Sequence, residues 1–189
     1  FYTIIGGTSP EHVTAFHYPK GMKRTIPPAY RKMVEQADVL VLHNAPFDLS
    51  YVWKNGCIQD FLIRGGQCWD TQICEYLLSG QRHSFASLAE LQEIYLGVKT
   101  KQDRISALYK KGIGADVILA AKDRCPRLFK LYDAYSIGDG VTTFRIFVKQ
   151  YQAAKERNML NVIKLYNNYM LCLVEVMNTG ITVDLEKCE

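Results

Sequence analysis

The feature that most constrains the fold is a short apolar run in the first third of the chain, Val39-Leu40-Val41-Leu42, which contains no polar residue. A continuous apolar run of this length predicts a β-strand that is covered on both faces, as in folds where helices flank a sheet. The run leads directly into the segment His43-Asn44-Ala45-Pro46-Phe47-Asp48. Because sites in α/β folds usually form where strands end, Asp48 lies where a functional carboxylate is expected.

Composition indicates a globular domain. The chain has 189 residues, of which 48% are hydrophobic and 22% charged, enough for one domain with a substantial core. The formal net charge is +4, from 23 Lys and Arg against 19 Asp and Glu. This excess tolerates a polyanionic partner without singling one out.

Cysteine usage and hydropathy predict a cytosolic protein. The six cysteines form no C-x-x-C pair, and a chain of this size needs no disulfide framework, so we expect reduced thiols. No apolar stretch reaches the roughly 20 residues that span a bilayer, so no membrane partner is expected. The chain opens on Phe1, inside a strand-like segment, and we expect an N-terminus cut within a domain. The cysteines are Cys57, Cys68, Cys74, Cys125, Cys172 and Cys188.

Local patterns predict the other elements. Pro27 and Pro28 indicate a helix start, since proline is favoured in the first helical turn, and Asn55-Gly56 indicates a helix end. Asp70, and either Ser84 or Ser87, are candidate N-caps. The predicted strands cover residues 2–7, 13–18 and 39–44, the first two joined by a turn at residues 8–10; the predicted helices cover about 28–37, 47–54, 72–78, 87–96, a long stretch beyond 126, and 162–179.

A second acidic segment, Tyr135-Ser136-Ile137-Gly138-Asp139, falls in the long helical stretch. Tyr135 and Asp139 are four residues apart and therefore project from one helix face. If the fold brings Asp139 to Asp48, the two carboxylates supply the hard oxygen ligands that Mg2+ prefers, and the Tyr135 hydroxyl can orient an attacking water. This combination predicts phosphodiester chemistry. Taken singly, the same residues fit a helix cap, a core tyrosine and a solvated carboxylate.

Three motifs in this order carry a family resemblance. They are the strand ending in His43-Asn44-x-x-Phe47-Asp48, the segment Trp69-Asp70-Thr71-Gln72, and Tyr135-x-x-x-Asp139-x-x-x-Thr143. Together they resemble the 3'-5' proofreading exonuclease domain of family A DNA polymerases, the DEDDy branch of the DEDD exonucleases, and most of all its bacteriophage members. Residues 87–91 are similar to the next family helix, and residues 177–184 resemble the junction with the polymerase part.

The resemblance implies a ribonuclease H-like α/β fold, with a mixed sheet, flanking helices and its first strand missing. It implies Asp48, Tyr135 and Asp139 as catalytic residues, Asp48 and Asp139 as ligands of two Mg2+ or Mn2+ ions, and Asn44 and Phe47 as substrate-binding residues. The implied partners are a DNA 3' end and the polymerase domain of the same chain, in the cytoplasm of a bacterial host. Residues 1–157 would be the exonuclease domain and residues 158–189 the start of the polymerase region.

The chain departs from the family pattern in two places. The first motif, Asp-x-Glu, supplies two of the four expected carboxylates and should precede Phe1, so we expect poor hydrolysis by this chain alone. The segment Asp184-Leu185-Glu186 has the spacing but the wrong position, and we interpret it as coincidence. Gly138 and Gly140 flank Asp139, and each costs about 1 kcal/mol in a helix interior, which predicts a less rigid helix.

Two other functions fit the sequence. One is a catalytically degenerate, DNA-binding scaffold domain of such a polymerase; the other is a stand-alone DEDD nuclease acting on RNA, against which residues 177–184 argue. The four histidines lack zinc-site spacing, and Asp70 is interpreted as an N-cap. The basic residues Lys99, Lys101, Arg104, Lys110 and Lys111 fit a solvated helix face better than a phosphate contact, and Phe85 and Tyr109 fit either base stacking or core packing.

Overall fold

The computed structural model describes residues 2–18, 26–99 and 104–181. In the first of these ranges, side chains are described for residues 5–17. It is a mixed α/β structure in which helices predominate and the strands form two small ladders. Asp184-Leu185-Glu186, Lys101, Cys188 and the end of the junction-like segment lie outside the described residues.

The first ladder is the predicted strand pair. Strands β1 (Tyr2–Ser9) and β2 (His12–Tyr18) pair antiparallel, with Ile5 opposite Ala15. The turn falls at residues 10 and 11, and the register shifts between Gly7 and Ser9. The strand pair is therefore confirmed, with β1 two residues longer than predicted.

The second ladder pairs β3 (Val39–Leu42) in parallel with β4 (Gln67–Asp70). The expectation that β3 is covered on both faces is wrong, because Val39 is 38% exposed and the rest of β3 is half-buried. The better covered strand is β4, whose last three residues are buried. Sequence patterns did not predict β4, since its four residues neither alternate nor form an apolar run.

The six predicted helices are confirmed, with small shifts of their bounds. The helices are α1 (Pro28–Gln36), α2 (Ala45–Val52), α3 (Cys57–Ile63), α4 (Thr71–Leu78), α5 (Leu88–Leu96), α6 (Arg104–Lys110), α7 (Ala115–Ala120), α8 (Pro126–Glu156) and α9 (Leu160–Thr179), and a 3-10 turn covers Trp53–Asn55. Of the two candidate caps for α5, Ser87 is the one used, in a reciprocal capping box with Glu90. The short helices α3, α6 and α7 were not predicted.

The long helix α8 connects the two ladders, because it packs against β1 and β2 and also against β3. Helix α9 packs against α2 and β4, and the largest core cluster joins Leu49, Phe61 and Ile58 to Met170 and Val174 of α9. Within the described ranges the two ladders are not hydrogen-bonded to each other. The ribonuclease H-like fold stays a prediction.

Two further expectations concern membranes and thiols. Of the helices in the described ranges, none combines the length and apolar character that crossing a bilayer requires. The five cysteines in those ranges are free thiols, as predicted. Three of them are buried. Burial raises the pKa of Cys57, and it raises the pKa of Cys68 to about 12.

Candidate functional site

The turn from β3 into α2 carries three of the predicted site residues. Asn44 adopts a left-handed backbone conformation with φ 58° and ψ 55°, which asparagine tolerates better than most residues. Its side chain makes no capping hydrogen bond. Phe47, 59% exposed, and Asp48 follow in the first turn of α2, both on the solvent side. Asn44, Phe47 and Asp48 therefore lie on one short, exposed segment after a parallel strand.

Asp70 holds this turn in place from the end of the neighbouring strand. Its buried carboxylate accepts hydrogen bonds from the backbone N–H groups of Asn44 (3.3 Å) and Ala45 (2.7 Å). It also caps α4 by accepting from the N–H groups of Gln72 (2.8 Å) and Ile73 (3.4 Å). Four backbone donors thus satisfy this buried carboxylate, and they account for its position at the start of α4. The interpretation of Asp70 as an N-cap is confirmed.

The electrostatic environment of Asp48 differs from that of an ordinary surface aspartate. Burial, and secondarily the charge of Asp70, raise the pKa of Asp48 from 3.8 to about 7. The residue as a whole is nevertheless exposed to solvent. Tyr30 lies close enough for the charge of Asp48 to contribute to its raised pKa, behind the larger effect of burial.

His43 is a neutral, packed histidine. Burial lowers its pKa, and the charge of Asp70 only partly opposes this. Its Nδ1 lies 2.9 Å from the Thr71 hydroxyl, and that hydroxyl donates its single hydrogen to the Leu42 carbonyl at 3.2 Å. We therefore assign the ring proton to Nδ1, which donates to Thr71 Oγ1. His43 thus ties β3 to the start of α4, as expected for a histidine without a metal role.

Tyr135 and Asp139 lie on one face of α8, both half-buried. The ring of Tyr135 packs against the apolar cluster of α6 and α7 and meets the ring of Tyr109 edge-on, at 6.4 Å and 90°. The Thr143 hydroxyl donates to the Asp139 carbonyl at 2.8 Å, within the helix. The third motif therefore has a defined setting, with its tyrosine in an aromatic contact.

The two glycines beside Asp139 have different surroundings. A Cβ on Gly140 would lie 2.9 Å from a methyl of Ile5 and 3.0 Å from a methyl of Val13, so α8 approaches the hairpin too closely for any side chain there. A Cβ on Gly138 would meet nothing within 4 Å. Gly140 is thus explained by packing, and nothing in the structure explains Gly138.

A side-chain hydrogen bond adds a second attachment of α8 to the hairpin. His17 Nε2 lies 2.8 Å from Asp133 Oδ1, and the His17 ring contacts the rings of Phe129 and Tyr132 at centroid distances of 5.0 and 5.6 Å. This contact lies just before the third motif and the Gly140 contact lies within it, so α8 is held against the hairpin along this stretch.

The site residues form two groups. Asn44, Phe47 and Asp48 share the β3–α2 turn, Tyr135 and Asp139 share a face of α8, and β3 packs against α8. The meeting of the Asp48 and Asp139 carboxylates stays a prediction. In the ranges that the structure describes, no group of three or more His, Cys, Asp or Glu side chains converges as a metal site.

Sequence reasoning missed two contacts that shape these groups. One is the hydrogen bond from the Asp70 N–H to Asn167 Oδ1, at 2.8 Å across 97 positions. The other is the contact of Tyr109 with Tyr135. An asparagine in the middle of a helix gives no sequence signal for the first. For the second, the only signal was an aromatic residue beside two lysines.

The fold and site define an α/β domain with an exposed carboxylate after a parallel strand and a tyrosine–aspartate pair on a crossing helix. A family model described as 3'-5' exonuclease matches residues 12–150, which run from β2 into α8. The chain belongs to this family. Membership makes it a domain of nuclease, hence hydrolase, type with nucleic acid as its substrate class, in a family that typically uses divalent metals. Searches of curated proteins and of solved structures found no match.

Proposed function

We propose that the chain is the 3'-5' proofreading exonuclease domain of a bacteriophage family A DNA polymerase, acting in the cytoplasm of a bacterial host. It removes mispaired nucleotides by hydrolysing the 3'-terminal phosphodiester of DNA. The observation that carries this proposal is that the family match spans both the β3–α2 turn and α8, the two elements that hold the candidate residues.

In this proposal Asp48 and Asp139 are metal ligands. Their donor chemistry fits Mg2+ or Mn2+, since both offer carboxylate oxygens. Two bound ions would supply positive charge to the attacking and leaving oxygens of the phosphodiester. The raised pKa of Asp48 supports a cation-binding role, because a nearby cation offsets the cost of ionising a carboxylate beside another carboxylate.

The remaining residues orient the reactants. Tyr135 positions the attacking water through its hydroxyl, and its packing against the α6–α7 cluster supports a fixed ring. Asn44 and Phe47 bind the terminal nucleotide. The exposure of Phe47, together with its edge-on contact with Tyr51 at 5.3 Å, suits a ring that stacks on a frayed base.

The proposed partner is the polymerase region of the same protein, of which residues 158–189 would be the start. Its support is an apolar stripe on α9, formed by the exposed residues Leu165, Tyr169, Leu173 and Val176. Spacings of three and four place these residues on one helix face. Exposed apolar surface of this kind marks an interface, and the junction-like residues 177–184 follow it directly.

The test is excision of a mismatched 3' nucleotide from a labelled primer by the full-length protein. We expect Asp139→Ala to lower the excision rate by at least about 100-fold, because it removes charge stabilisation from the transition state, while primer extension stays within twofold. Tyr135→Phe should cost less, since it removes one hydroxyl. Asp123→Ala, an exposed carboxylate in the turn before α8, is the matched control and should match the wild type.

Wild-type excision by the Asp139→Ala variant would refute the catalytic assignment. Loss of extension together with excision would instead point to a folding role for α8. A wild-type protein that binds DNA but never excises, with Mg2+ or Mn2+, would establish the scaffold function. Faster degradation of a labelled RNA 3' end than of DNA would favour the RNA nuclease.

A further inference from the structure

Two segments of the sequence, residues 20–34 and 104–130, carry a large excess of positive charge, and the second contacts the third motif through Tyr109. Residues 104–130, which comprise α6, α7 and the first turn of α8, contain seven Lys or Arg and two Asp. The segment therefore has a net charge of +5, against +4 for the whole chain. All seven cationic residues are exposed. A concentrated positive surface beside a nuclease site attracts a polyanion by electrostatic steering.

Within this segment, Tyr109 connects the basic surface to the candidate site. The rings of Tyr109 and Tyr135 meet edge to face, yet Tyr109 is 39% exposed. The buried positions of the surrounding cluster are filled by Ile105, Ile118 and Tyr132, so core packing uses only part of the Tyr109 ring. Tyr109 therefore combines a contact with the third motif and substantial exposure to solvent.

The backbone holds Tyr109 and its two neighbours in a fixed arrangement. Helix α6 ends in a hydrogen-bonded turn in which the N–H of Gly112 donates to the Tyr109 carbonyl at 2.9 Å. The N–H groups of Lys111 and Ile113 both donate to the Leu108 carbonyl, at 2.9 and 3.0 Å. Leu108 and Ile113 pack into the same cluster as Tyr135, so the turn is anchored on both sides. Lys110 and Lys111 thus start from an ordered turn and extend into solvent.

We propose that Tyr109, Lys110 and Lys111 form a subsite for the single strand that leads into the exonuclease site. Tyr109 stacks on a base upstream of the terminal nucleotide, and the two lysines contact the adjacent phosphates. An aromatic platform flanked by cations is the arrangement by which proteins hold single strands without reading their sequence. The subsite rests on the proposed function for its position in the reaction, and it replaces the interpretation of these lysines as a solvated helix face.

Equilibrium binding of a fluorescent single-stranded oligo(dT) to the full chain tests the lysines. EDTA is present throughout, so that no hydrolysis occurs. We expect the double variant Lys110→Gln, Lys111→Gln to weaken binding about tenfold in low salt. The slope of log Kd against log salt should fall by about 1.4, because each phosphate contact on a single strand contributes about 0.7. The matched control is Lys149→Gln with Lys155→Gln, the same charge change at exposed positions further along α8, which should keep most of the affinity.

The aromatic part is tested by photocrosslinking and by two substitutions. Oligo(dT) carrying one 5-iodouracil upstream of the 3' end should crosslink to Tyr109, as located by mass spectrometry. Tyr109→Leu should weaken binding about tenfold, whereas Tyr109→Phe should retain wild-type affinity, since stacking requires the ring and not the hydroxyl.

An unchanged Kd and salt slope in the Lys110–Lys111 variant would overturn the proposal, and so would equal binding by the Leu and Phe variants. The lysine result does not depend on folding of the cluster, because both side chains lie in solvent. Excision that survives Asp139→Ala would refute the proposed function alone, since binding in EDTA is measured without catalysis.

Discussion

At the scale of single residues, Asp48 is the group whose environment is most informative. Its pKa is raised from 3.8 to about 7, which means that the folded chain holds a proton on Asp48 where the unfolded chain has lost it. The protonated group thus contributes stability that is fully present below pH 3.8 and is lost as the pH rises through about 7. Above that pH the folded protein carries a carboxylate in an unfavourable place, as expected of a site prepared for a cation.

We predict that Asp48→Asn is more stable than the wild type at pH 8, and that the difference disappears towards pH 4. The neutral amide avoids the cost of ionisation. Because water reaches Asp48, we discount the full shift and expect on the order of 1 kcal/mol, or about 2–4 °C in Tm. Thermal unfolding followed by circular dichroism at pH 4, 6 and 8 measures this. Asp123→Asn, which removes an exposed carboxylate elsewhere, should change Tm equally little at every pH.

Mg2+ provides an independent readout of the same residue. A cation that binds Asp48 stabilises the folded state by mass action, so millimolar Mg2+ should raise the Tm of the wild type at pH 8. The Asp48→Asn variant should show a much smaller rise. Equal Mg2+ shifts in both proteins would remove Asp48 from the list of metal ligands.

At the scale of elements, a helix or strand could be predicted from the sequence where its cap, first-turn proline or apolar pattern was clear. Helices α1, α4 and α5 were predicted closely because each has a cap or a first-turn proline; Asp70 and Ser87 are examples. Strand β4 and the short helices α3, α6 and α7 were missed, because four to seven residues carry too little periodicity. The Asp70–Asn167 bond and the Tyr109–Tyr135 contact could not be predicted, since each depends on tertiary packing between distant segments.

Helix α8 shows how one element can combine two kinds of glycine. We predict that Gly138→Ala raises stability by up to about 1 kcal/mol, because its Cβ meets open space and alanine favours the helix. Gly140→Ala should lower stability by about 1–3 kcal/mol in spite of the same helix preference, because its Cβ would collide with Ile5 and Val13. Urea unfolding of both variants measures the two free energies. Similar values for the two would show that α8 does not approach the hairpin as closely as described.

At the scale of the whole molecule, α9 belongs to the same core as the exonuclease site. The resemblance places the start of the polymerase region at residue 158, yet Met170, Leu171 and Val174 are buried members of the largest core cluster, which also includes residues of α2 and α3. Asn167 also supplies the acceptor for the buried N–H of Asp70, the residue that positions the Asp48 turn. The start of the polymerase region and the end of the exonuclease core therefore need not fall at the same residue. We expect the folded unit to extend through α9.

This expectation yields a prediction about truncation. A chain ending at residue 157 should fail to unfold cooperatively, whereas one ending at residue 181 should keep a sharp transition. The shorter chain loses four buried apolar side chains, each of which contributes about 1.5–3 kcal/mol, against a total domain stability of about 5–15 kcal/mol. It also leaves the Asp70 N–H without its acceptor, at a cost of about 1–3 kcal/mol.

Asn167→Leu in the longer chain isolates that last contribution and should lower stability without abolishing the transition. Urea unfolding followed by tryptophan fluorescence, with Trp53 and Trp69 both in the buried clusters, reports on all three proteins. A cooperative transition in the chain of residues 1–157 would mean that the exonuclease core is complete without α9 and that the boundary inferred from the sequence is also the physical one. The four buried apolar side chains that the chain of residues 1–157 lacks are Ile163, Met170, Leu171 and Val174.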